Sequence, residues 1–247
     1  MNTLLCDNAD PMGAAIYDYF RNGSAGKLVV HSSMFEDDEI PVDGLFRAFE
    51  DMPYLEKTAL EMARGRVLDV GAGAGCHSLA LQAMGRQTVA IDISALSVDV
   101  MKARGVDARR INFYDDTFNE KFDTVLMLMN GTGIIGRMEN IDTFFARLRQ
   151  LLNPEGMVLI DSSDLRYLFE EEDGSLMIDL ADDYYGLIDY QMEYKKVKGE
   201  PFDWLYLDFD TLAFYAEEHG FSAGLVAEGD HYDYLAILQL QPQSMTA

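Results

Sequence analysis

The sequence predicts an α/β fold built on a doubly wound, mostly parallel sheet, and two features of the chain support this. From residue 66 onward, short apolar runs alternate with segments whose apolar residues recur at helical spacing. The first run passes into a glycine-dense turn at residues 71–75, and the second ends on Asp92. Because strands that alternate with helices pair in parallel through right-handed crossovers, this order indicates a sheet with helices on both faces.

Residues 1–65 precede that alternation, and we expect them to form an N-terminal helical cap. Asp10 can cap a helix that has Pro11 in its first turn and runs to Gly23. Residues 27–34 are apolar and β-branched but give no firm assignment. Apolar residues then recur at helical spacing over residues 45–52, which suggests a further helix.

Residues 66–247 form the predicted main domain, and local signals mark the ends of its elements. Gly85 and Gly105 end the first two helices, Ser94 caps the second, and Pro154 follows the third. The elements predicted in order are strand 66–70, helix 76–84, strand 88–92, helix 94–104, strand 108–113, strand 122–129, helix 140–152 and strand 157–161. A last helix from Asp210 to Gly220 and strands at 222–227 and 233–240 complete the domain.

Residues 162–207 interrupt this pattern as an insertion, and we expect a β-hairpin there. Apolar and polar residues alternate strictly from 188 to 195, which is the period of a half-buried strand. A turn at residues 198–201 allows 202–207 to return as a second strand. Its many aromatic side chains leave two interpretations open: an apolar face packed on the domain, or a substrate wall or lid whose rings hold a flat or cationic molecule.

The composition limits the class of protein and of partner. The chain has 247 residues, 43 acidic and 19 basic, and a net charge of −24. Such a charge disfavours nucleic acid and favours a cationic or neutral small molecule over an acidic one. The sequence contains no run long and apolar enough for a membrane span and no pattern of a signal peptide. Cys6 and Cys76 do not suggest a disulfide, so we expect a cytoplasmic protein.

The motif with the clearest chemical meaning is Asp69-x-Gly71-x-Gly73-x-Gly75, with Asp92 at the end of the next strand. The glycines let the backbone turn sharply and leave room for a ligand. The amides of the following helix can face a polar group, and an acidic residue at this distance accepts hydrogen bonds from ribose hydroxyls. The motif therefore predicts a nucleoside site.

The spacing of the glycines indicates which kind of nucleoside binds. A dinucleotide fingerprint needs glycine at the position of Cys76, and a carboxylate at the strand end would repel a diphosphate. The pattern instead resembles the first motif of class I S-adenosylmethionine-dependent methyltransferases. The resemblance covers about residues 60–161 and 208–240. It implies a Rossmann-like, seven-stranded sheet in the order 3-2-1-4-5-7-6.

The same resemblance implies roles for five residues near the first two strands. Asp69, Gly71 and Gly73 would hold the methionine tail of S-adenosylmethionine. Asp92 would take the ribose hydroxyls, and Ile93 would pack on the adenine ring. In the family's strand order, these residues meet beyond the carboxyl ends of the strands.

Two further positions follow the third and fourth strands. Asp115 matches the family's acidic residue that accepts from the adenine amino group, although Tyr114 or Asp116 could take that role. Asn130 opens a glycine-rich loop, residues 130–133, where the methyl group should point. Either this loop merely turns the chain, or the Asn130 amide positions an acceptor atom.

We therefore expect an enzyme that transfers a methyl group from S-adenosylmethionine to a small molecule, mainly by proximity and orientation. Two alternatives remain open: aminopropyl transfer to a polyamine, and a module that binds S-adenosylmethionine without turnover. His77 is expected to be structural, and His31 is the one histidine worth testing as a base from the cap. No residues have the spacing of metal ligands, so the sequence suggests no metal.

Overall fold

The computed structural model of the protein describes residues 3–170 and 183–241. Its strands are β1 (Leu28–His31), β2 (Asp38–Ile40), β3 (Arg66–Val70), β4 (Gln87–Asp92), β5 (Ala108–Arg110), β6 (Phe122–Met127), β7 (Leu152–Ser163), β8 (Leu187–Tyr194), β9 (Val197–Lys198), β10 (Phe202–Leu205), β11 (Phe221–Glu228) and β12 (Asp233–Leu240). Its α-helices are α1 (Pro11–Asn22), α2 (Tyr54–Met62), α3 (Cys76–Ala83), α4 (Ala95–Ala103), α5 (Ile141–Leu151) and α6 (Phe209–Glu218). Residues 171–182 of the predicted insertion, and 1–2 and 242–247 of the predicted domains, lie outside the described residues.

The main sheet, in the described part of the chain, has seven strands in the order β5-β4-β3-β6-β7-β12-β11. The pairs from β5 to β7 are parallel, whereas β12 runs antiparallel to both β7 and β11. Numbered along the chain by themselves, these strands have the order 3-2-1-4-5-7-6, so the predicted fold class is confirmed. Among the helices described, none is long and apolar enough to cross a membrane.

Helices cover both faces of the main sheet because side chains alternate along each strand. On one face, Val125 and Val158 pack against Phe144 of α5, and all three are fully buried. On the other face, Leu126 packs with Leu60 of α2 and with α3. Two covered faces explain why these strands are almost continuously apolar rather than alternating.

Three predicted strands have different ends in the structure, two of them for local reasons. The strand predicted to reach residue 113 ends at Arg110, because Asn112 turns the chain by accepting the Tyr114 amide at 2.9 Å. The strand predicted to reach 129 ends at Met127, since Met129 and Asn130 have φ of 68° and 61°. The fifth strand is longer than predicted and runs from Leu152 to Ser163.

A second sheet, the roof sheet, joins the N-terminal region to the insertion. Its strands pair in the order β10-β8-β1-β2, with β9 paired to β8, and every pair is antiparallel. The predicted hairpin is therefore present, and β1 from the unassigned segment 27–34 adds to its edge. Tyr194 of β8 fixes this junction: its hydroxyl donates to Asp18 at 2.9 Å and accepts from the Gly26 amide at 3.0 Å.

The N-terminal cap contains α1 and α2 but also β1 and β2. Residues 42–51, where apolar spacing suggested a further helix, form two 3-10 turns, Val42–Phe46 and Phe49–Asp51. An α-helix is interrupted because Arg47 and Ala48 both take extended ψ angles. This extension lets the Arg47 guanidinium reach the Glu56 carboxylate.

Two helix caps lock the N-terminal region onto the main domain. As predicted, Asp10 caps α1, and it accepts the Gly13 amide at 2.8 Å. Ser94 caps α4 by accepting the Ser97 amide at 3.0 Å, and its hydroxyl donates to the buried Asp10 carboxylate. A side chain at Gly13 would overlap both caps, so this close approach requires glycine.

Candidate functional site

A cavity of about 480 Å³ lies between the two sheets. Its floor is the carboxyl ends of β3, β4 and β6, where an open α/β sheet binds ligands. Its ceiling is one face of the roof sheet. Five of the predicted site residues line it together: Asp69, Gly71, Gly73, Asp92 and Asn130.

The glycine loop, residues 71–75, forms the part of the floor next to β3. Gly71 and Gly73 have φ of +68° and +56°, which side chains rarely allow. A β-carbon at Gly71 would meet no protein atom within 4 Å, so the space above this residue is open. The loop therefore offers bare backbone to a ligand.

Asp92 fixes this loop to the end of β4. Its Oδ2 accepts the Gly73 amide at 2.9 Å, and its Oδ1 accepts the Ser94 amide at 2.9 Å. Burial among protein atoms raises the pKa of Asp92 to about 6, although both amide bonds oppose the shift. The carboxylate is thus rigidly oriented and still faces the cavity.

Asp69 lies deeper, at the end of β3, and a buried ion cluster supports this side of the floor. The Ser78 hydroxyl donates to Asp69 at 2.6 Å, and burial raises the pKa of this carboxyl. His77 Nε2 lies 2.9 Å from Glu56, which also binds Arg47. Desolvation by itself raises the pKa of Glu56, but the hydrogen bonds from His77 and Arg47 together outweigh it, so the pKa lies below its ordinary value.

The β6 loop, residues 129–133, has a strained conformation that Asp161 stabilises. Asp161 Oδ2 accepts the Met129 amide and its Oδ1 accepts the Gly131 amide, both at 3.0 Å. The Ser163 hydroxyl donates to Asn130 Oδ1 at 2.9 Å. Burial raises the pKa of Asp161 to about 6. Sequence reasoning missed Asp161, although its position at the end of a buried strand matches that of Asp69 and Asp92.

The β6 loop is also joined to the roof sheet. The Thr132 hydroxyl donates to the Leu205 carbonyl of β10 at 2.8 Å. The indole ring of Trp204 lies directly on Gly133, where a β-carbon would overlap the ring. The glycine at this position is therefore needed for contact between the floor and the ceiling of the cavity.

The inner face of the roof sheet is aromatic along β8 and β10. Alternate residues of β8 and β10 point into the cavity, as the sequence alternation predicted, and the Tyr190 and Tyr206 hydroxyls lie 3.0 Å apart. Glu36 and Asp38 add two carboxylates at the β2 edge. Within the described residues, no lysine or arginine lines the cavity.

Ile93 and Asp115 do not line this cavity, although both lie at the same end of the sheet. The Ile93 carbonyl accepts the Leu5 amide at 3.3 Å, so the N-terminal segment covers that side. Asp115 Oδ1 accepts from the amide and hydroxyl of Thr117, at 3.0 and 2.7 Å, and these bonds lower its pKa.

The two histidines that the sequence singled out occupy different environments. His77 lines the cavity wall, but its Nε2 is hydrogen-bonded to Glu56. His31 lies outside the cavity lining, where its Nδ1 is 2.7 Å from Asp37.

The groups present fit a nucleoside with a positively charged tail. Four carboxylates line the cavity and, in the part of the chain that the structure describes, no cationic Lys or Arg does so. This set suits ribose hydroxyls and an ammonium group, and it would repel a diphosphate. The fold and the cavity thus define a Rossmann-like domain that binds a nucleoside without phosphate groups.

Comparison with known proteins gives the family. Residues 67–156 match a family described as a methyltransferase domain. The chain is 58% identical to an S-adenosylmethionine-dependent methyltransferase from Bacteroides fragilis, whose crystal structure contains S-adenosyl-L-homocysteine. The match covers 98% of this chain and 99% of that one, with a TM-score of 0.93. The protein therefore belongs to the S-adenosylmethionine-dependent methyltransferases, and S-adenosylmethionine is its cofactor.

Curated relatives match a smaller part of the chain. The cypemycin N-terminal methyltransferase from Streptomyces sp is 33% identical over 102 residues, which are 40% of this chain and 42% of that protein. A ubiquinone biosynthesis O-methyltransferase from Rhodopseudomonas palustris is 26% identical over 124 residues, 48% of this chain and 46% of that protein. The chain thus spans less than half the length of these relatives.

Proposed function

We propose that the protein transfers a methyl group from S-adenosylmethionine to a small-molecule acceptor that is neutral or cationic. The observation that best supports this proposal is one cavity with two different walls. Its floor is the glycine loop with Asp69 and Asp92, and its ceiling is the aromatic inner face of the roof sheet. One cavity can therefore receive a nucleoside on the floor and an acceptor beneath the roof.

The floor residues are proposed to hold the cofactor. Asp92 would accept the ribose hydroxyls, because each of its oxygens binds only one amide and keeps a lone pair for the ligand. Gly71 and Gly73 would offer backbone to the methionine tail, and Asp69 a negative charge to its ammonium group. When bound, S-adenosylmethionine supplies a methyl group on a positively charged sulfur.

Three further residues are proposed around this site. Ile93 would pack on adenine, and Asp115 would accept from the adenine amino group through Oδ2, which Thr117 leaves unused. Asn130 would position the acceptor or the methionine carboxylate. Its Oδ1 is bound by Ser163, so its amide hydrogens remain for a ligand.

Orientation is the main contribution of the protein to the reaction. A methyl group on sulfonium is already activated, so the enzyme must hold an incoming nucleophile in line with it and exclude water. Holding two reactants in such a geometry can supply about 7–11 kcal/mol of the barrier. The rigid contacts of Asp92, Asp161 and Gly133 are suited to this task because each fixes a loop at the cavity.

The curated relatives act on different acceptors, so the acceptor of this protein has to be inferred from its own residues. By their names, one acts on the N-terminus of cypemycin and the other on an oxygen in ubiquinone biosynthesis. Neither match reaches half of this chain, so neither assigns the methylated atom. The roof sheet of this protein supplies the stronger argument.

Calorimetric titration with S-adenosylhomocysteine tests the cofactor assignment. We expect micromolar binding, and Asp92→Ala should weaken it by about 10-fold to 100-fold because hydrogen bonds to a charged group are lost. Asp99→Asn, on the exposed side of α4, is the matched control and should bind normally. Near-normal affinity of the Asp92 variant would remove this residue from the site.

A second readout tests methyl transfer itself. Incubation with S-adenosylmethionine and a panel of small acceptors should release S-adenosylhomocysteine, detected by mass spectrometry. Recovery of intact cofactor with every acceptor would contradict the proposal. Methylthioadenosine from the decarboxylated cofactor and putrescine would indicate aminopropyl transfer instead.

We also propose that the protein works in a reducing cytoplasm. Cys6 and Cys76 are both free thiols. Burial raises the pKa of the Cys76 thiol to about 11, which keeps it protonated and unreactive.

A further inference from the structure

Building on the proposed function, we infer that the inner face of the roof sheet is an acceptor subsite for a small amine with an apolar or aromatic body. In this subsite, the Tyr190–Tyr206 hydroxyl pair orients the nitrogen near the β6 loop, and Asp38, two strands away from Tyr190 in the roof sheet, favours its positive charge through the cavity. Methyl transfer to a neutral or cationic molecule leaves the methylated group open, and this subsite makes that group an amine nitrogen.

The apolar body of the acceptor would lie against the aromatic part of the roof. Phe202 lies between two other rings, with centroids 6.1 Å from Tyr190 and 6.0 Å from Trp204. Ring faces bind apolar surface and also attract a positive charge. Since Trp204 also rests on Gly133 of the β6 loop, a molecule on this wall lies next to the proposed methyl position.

Asp38 shares this inner face, as the strand register shows. Asp38 pairs with Val30, and Val30 pairs with Met192 on the other side, and all three line the cavity. The neighbouring Glu39 points to the outer face, where it forms an ion pair with Lys27 at 2.8 Å. Adjacent residues of one strand thus place one carboxylate at the solvent-exposed rim of the cavity and one on the outer face.

The carboxylates of the ceiling have no cationic partner in the described residues. Neither Glu36 nor Asp38 forms an ion pair there, whereas Glu39 pairs with Lys27. On the floor, Asp92 and Asp69 are assigned to the cofactor, whereas Asp38 Oδ1 accepts the neighbouring Glu39 amide at 2.7 Å and keeps its charge. The remaining negative charge of the cavity therefore lies at the β2 edge of the roof, where it favours a cationic ligand.

The two tyrosine hydroxyls orient the nitrogen of the acceptor and do not act as a base. One hydroxyl donates to the other across 3.0 Å, so the pair keeps one hydrogen and several lone pairs for a ligand. Burial, more than any other cause, raises the pKa of both Tyr190 and Tyr206, so both remain protonated at neutral pH. Tyr190, Tyr206 and Asp38 all line the same cavity.

The proton and electron balance of the step follows from these roles. The ammonium form of the acceptor first gives one proton to water in the open cavity. The free nitrogen lone pair then forms the new N–C bond, while the S–C bond breaks and its electron pair stays on sulfur. The products are a methylated ammonium ion and a neutral thioether.

The test uses the full chain and matched sets of acceptors. Each aromatic or aliphatic body, such as the phenylethyl group, is supplied as an amine, an alcohol and a carboxylate. Binding is measured in the presence of S-adenosylhomocysteine, and turnover is measured with S-adenosylmethionine. We expect at least one amine to be bound and methylated, with kcat/KM at least tenfold above that of its alcohol and carboxylate partners.

Variants then test the residues. Asp38→Asn should lower kcat/KM for the amine at least tenfold, and Tyr190→Phe should lower kcat more than it changes KM. Glu39→Gln is the matched control, because this carboxylate faces outward on the same strand. All variants should bind S-adenosylhomocysteine as the unchanged protein does, and thermal unfolding should show that each is folded.

The outcomes separate this inference from the proposed function. Preference for alcohols or carboxylates, the same effect in Asp38→Asn and Glu39→Gln, or no bound amine in the panel would overturn the amine subsite. If S-adenosylhomocysteine binds in those cases, the cofactor assignment stands. Failure of the unchanged, folded protein to bind S-adenosylhomocysteine would instead overturn the proposed function.

Discussion

The Asp161 carboxylate stabilises an unfavourable backbone conformation beside the cavity. Met129 and Asn130 are both non-glycine residues in the left-handed region, and such residues cost about 1–3 kcal/mol each. Asp161 offsets that cost by accepting the amides on either side of Asn130. A single buried side chain thereby sets the direction of the β6 loop.

Replacing Asp161 should therefore affect turnover more than cofactor binding. We expect Asp161→Asn to lower kcat by about 10-fold to 100-fold, since an amide nitrogen would face a backbone N–H and the loop would shift. Affinity for S-adenosylhomocysteine should change less than about threefold. Adding Met129→Gly, which removes one strained residue, should restore part of kcat. Equal losses in affinity and in kcat would contradict the positioning role.

The pH dependence follows from the same group. The pKa of Asp161 is about 6 in the folded protein, above its ordinary value of 3.8. As pH falls from above 6 to about 4, the folded form takes up the proton first, so this carboxyl raises the free energy of unfolding. The protonated carboxyl also accepts amide bonds less well, so kcat should fall over this range. As pH falls from 7 to 4.5, kcat should fall, while the free energy of unfolding measured in urea should rise. Asp161→Asn should reduce both changes.

The site residues differ in how far the sequence could predict them. The motif from Asp69 to Asp92 is local, because the glycine spacing and the strand ends are visible in the chain. The structure brings these residues to one cavity with Asn130. The sequence did not predict Asp161 as a site residue, because its role depends on the loop after a neighbouring strand. It did not predict Asp38, because the strand that carries this residue was not assigned. No local pattern reports which amides a carboxylate will meet.

At the level of elements, contact between the β6 loop and β10 depends on Gly133. We expect Gly133→Ala to push the Trp204 indole away and lower kcat/KM for the acceptor at least about tenfold, because overpacking at this joint costs about 1–3 kcal/mol. Affinity for S-adenosylhomocysteine should stay near normal.

A double variant checks that explanation. Trp204→Ala alone removes part of the acceptor wall, and adding Gly133→Ala should then cause little further loss, because the clash no longer exists. Additive losses in kcat/KM would mean that the two residues act independently. Thermal unfolding of each variant distinguishes a local shift from loss of the fold.

The elements of the main sheet were predicted well because their signals are local. α4 begins after Ser94 and α1 after Asp10, as predicted, and most strand ends agree within a few residues. The roof sheet was not predicted as one unit. Its central pair joins β1 to β8, which are far apart in the chain, and hydrophobic period alone does not show which strands pair.

The whole molecule has a net charge of −24, and this charge should affect acceptor binding. Raising NaCl from about 20 mM to about 300 mM shortens the Debye length from about 20 Å to about 6 Å. We expect KM for a cationic acceptor to rise several-fold over this range, because long-range attraction is screened. KM for a neutral acceptor of the same shape should change little, and equal changes for both would contradict electrostatic attraction.

The pairing of β1 with β8 also has a consequence for the order of folding. Leu28 pairs with Tyr194, so β1 leaves the ribosome long before its partner strand exists. The chain from β3 to β6, with the glycine loop and Asp92, is complete earlier and can collapse by more local contacts. We expect the ceiling of the cavity to assemble last, onto a floor already shaped. Pulsed hydrogen exchange during refolding should protect the amides of β3 and β4 before those of β1.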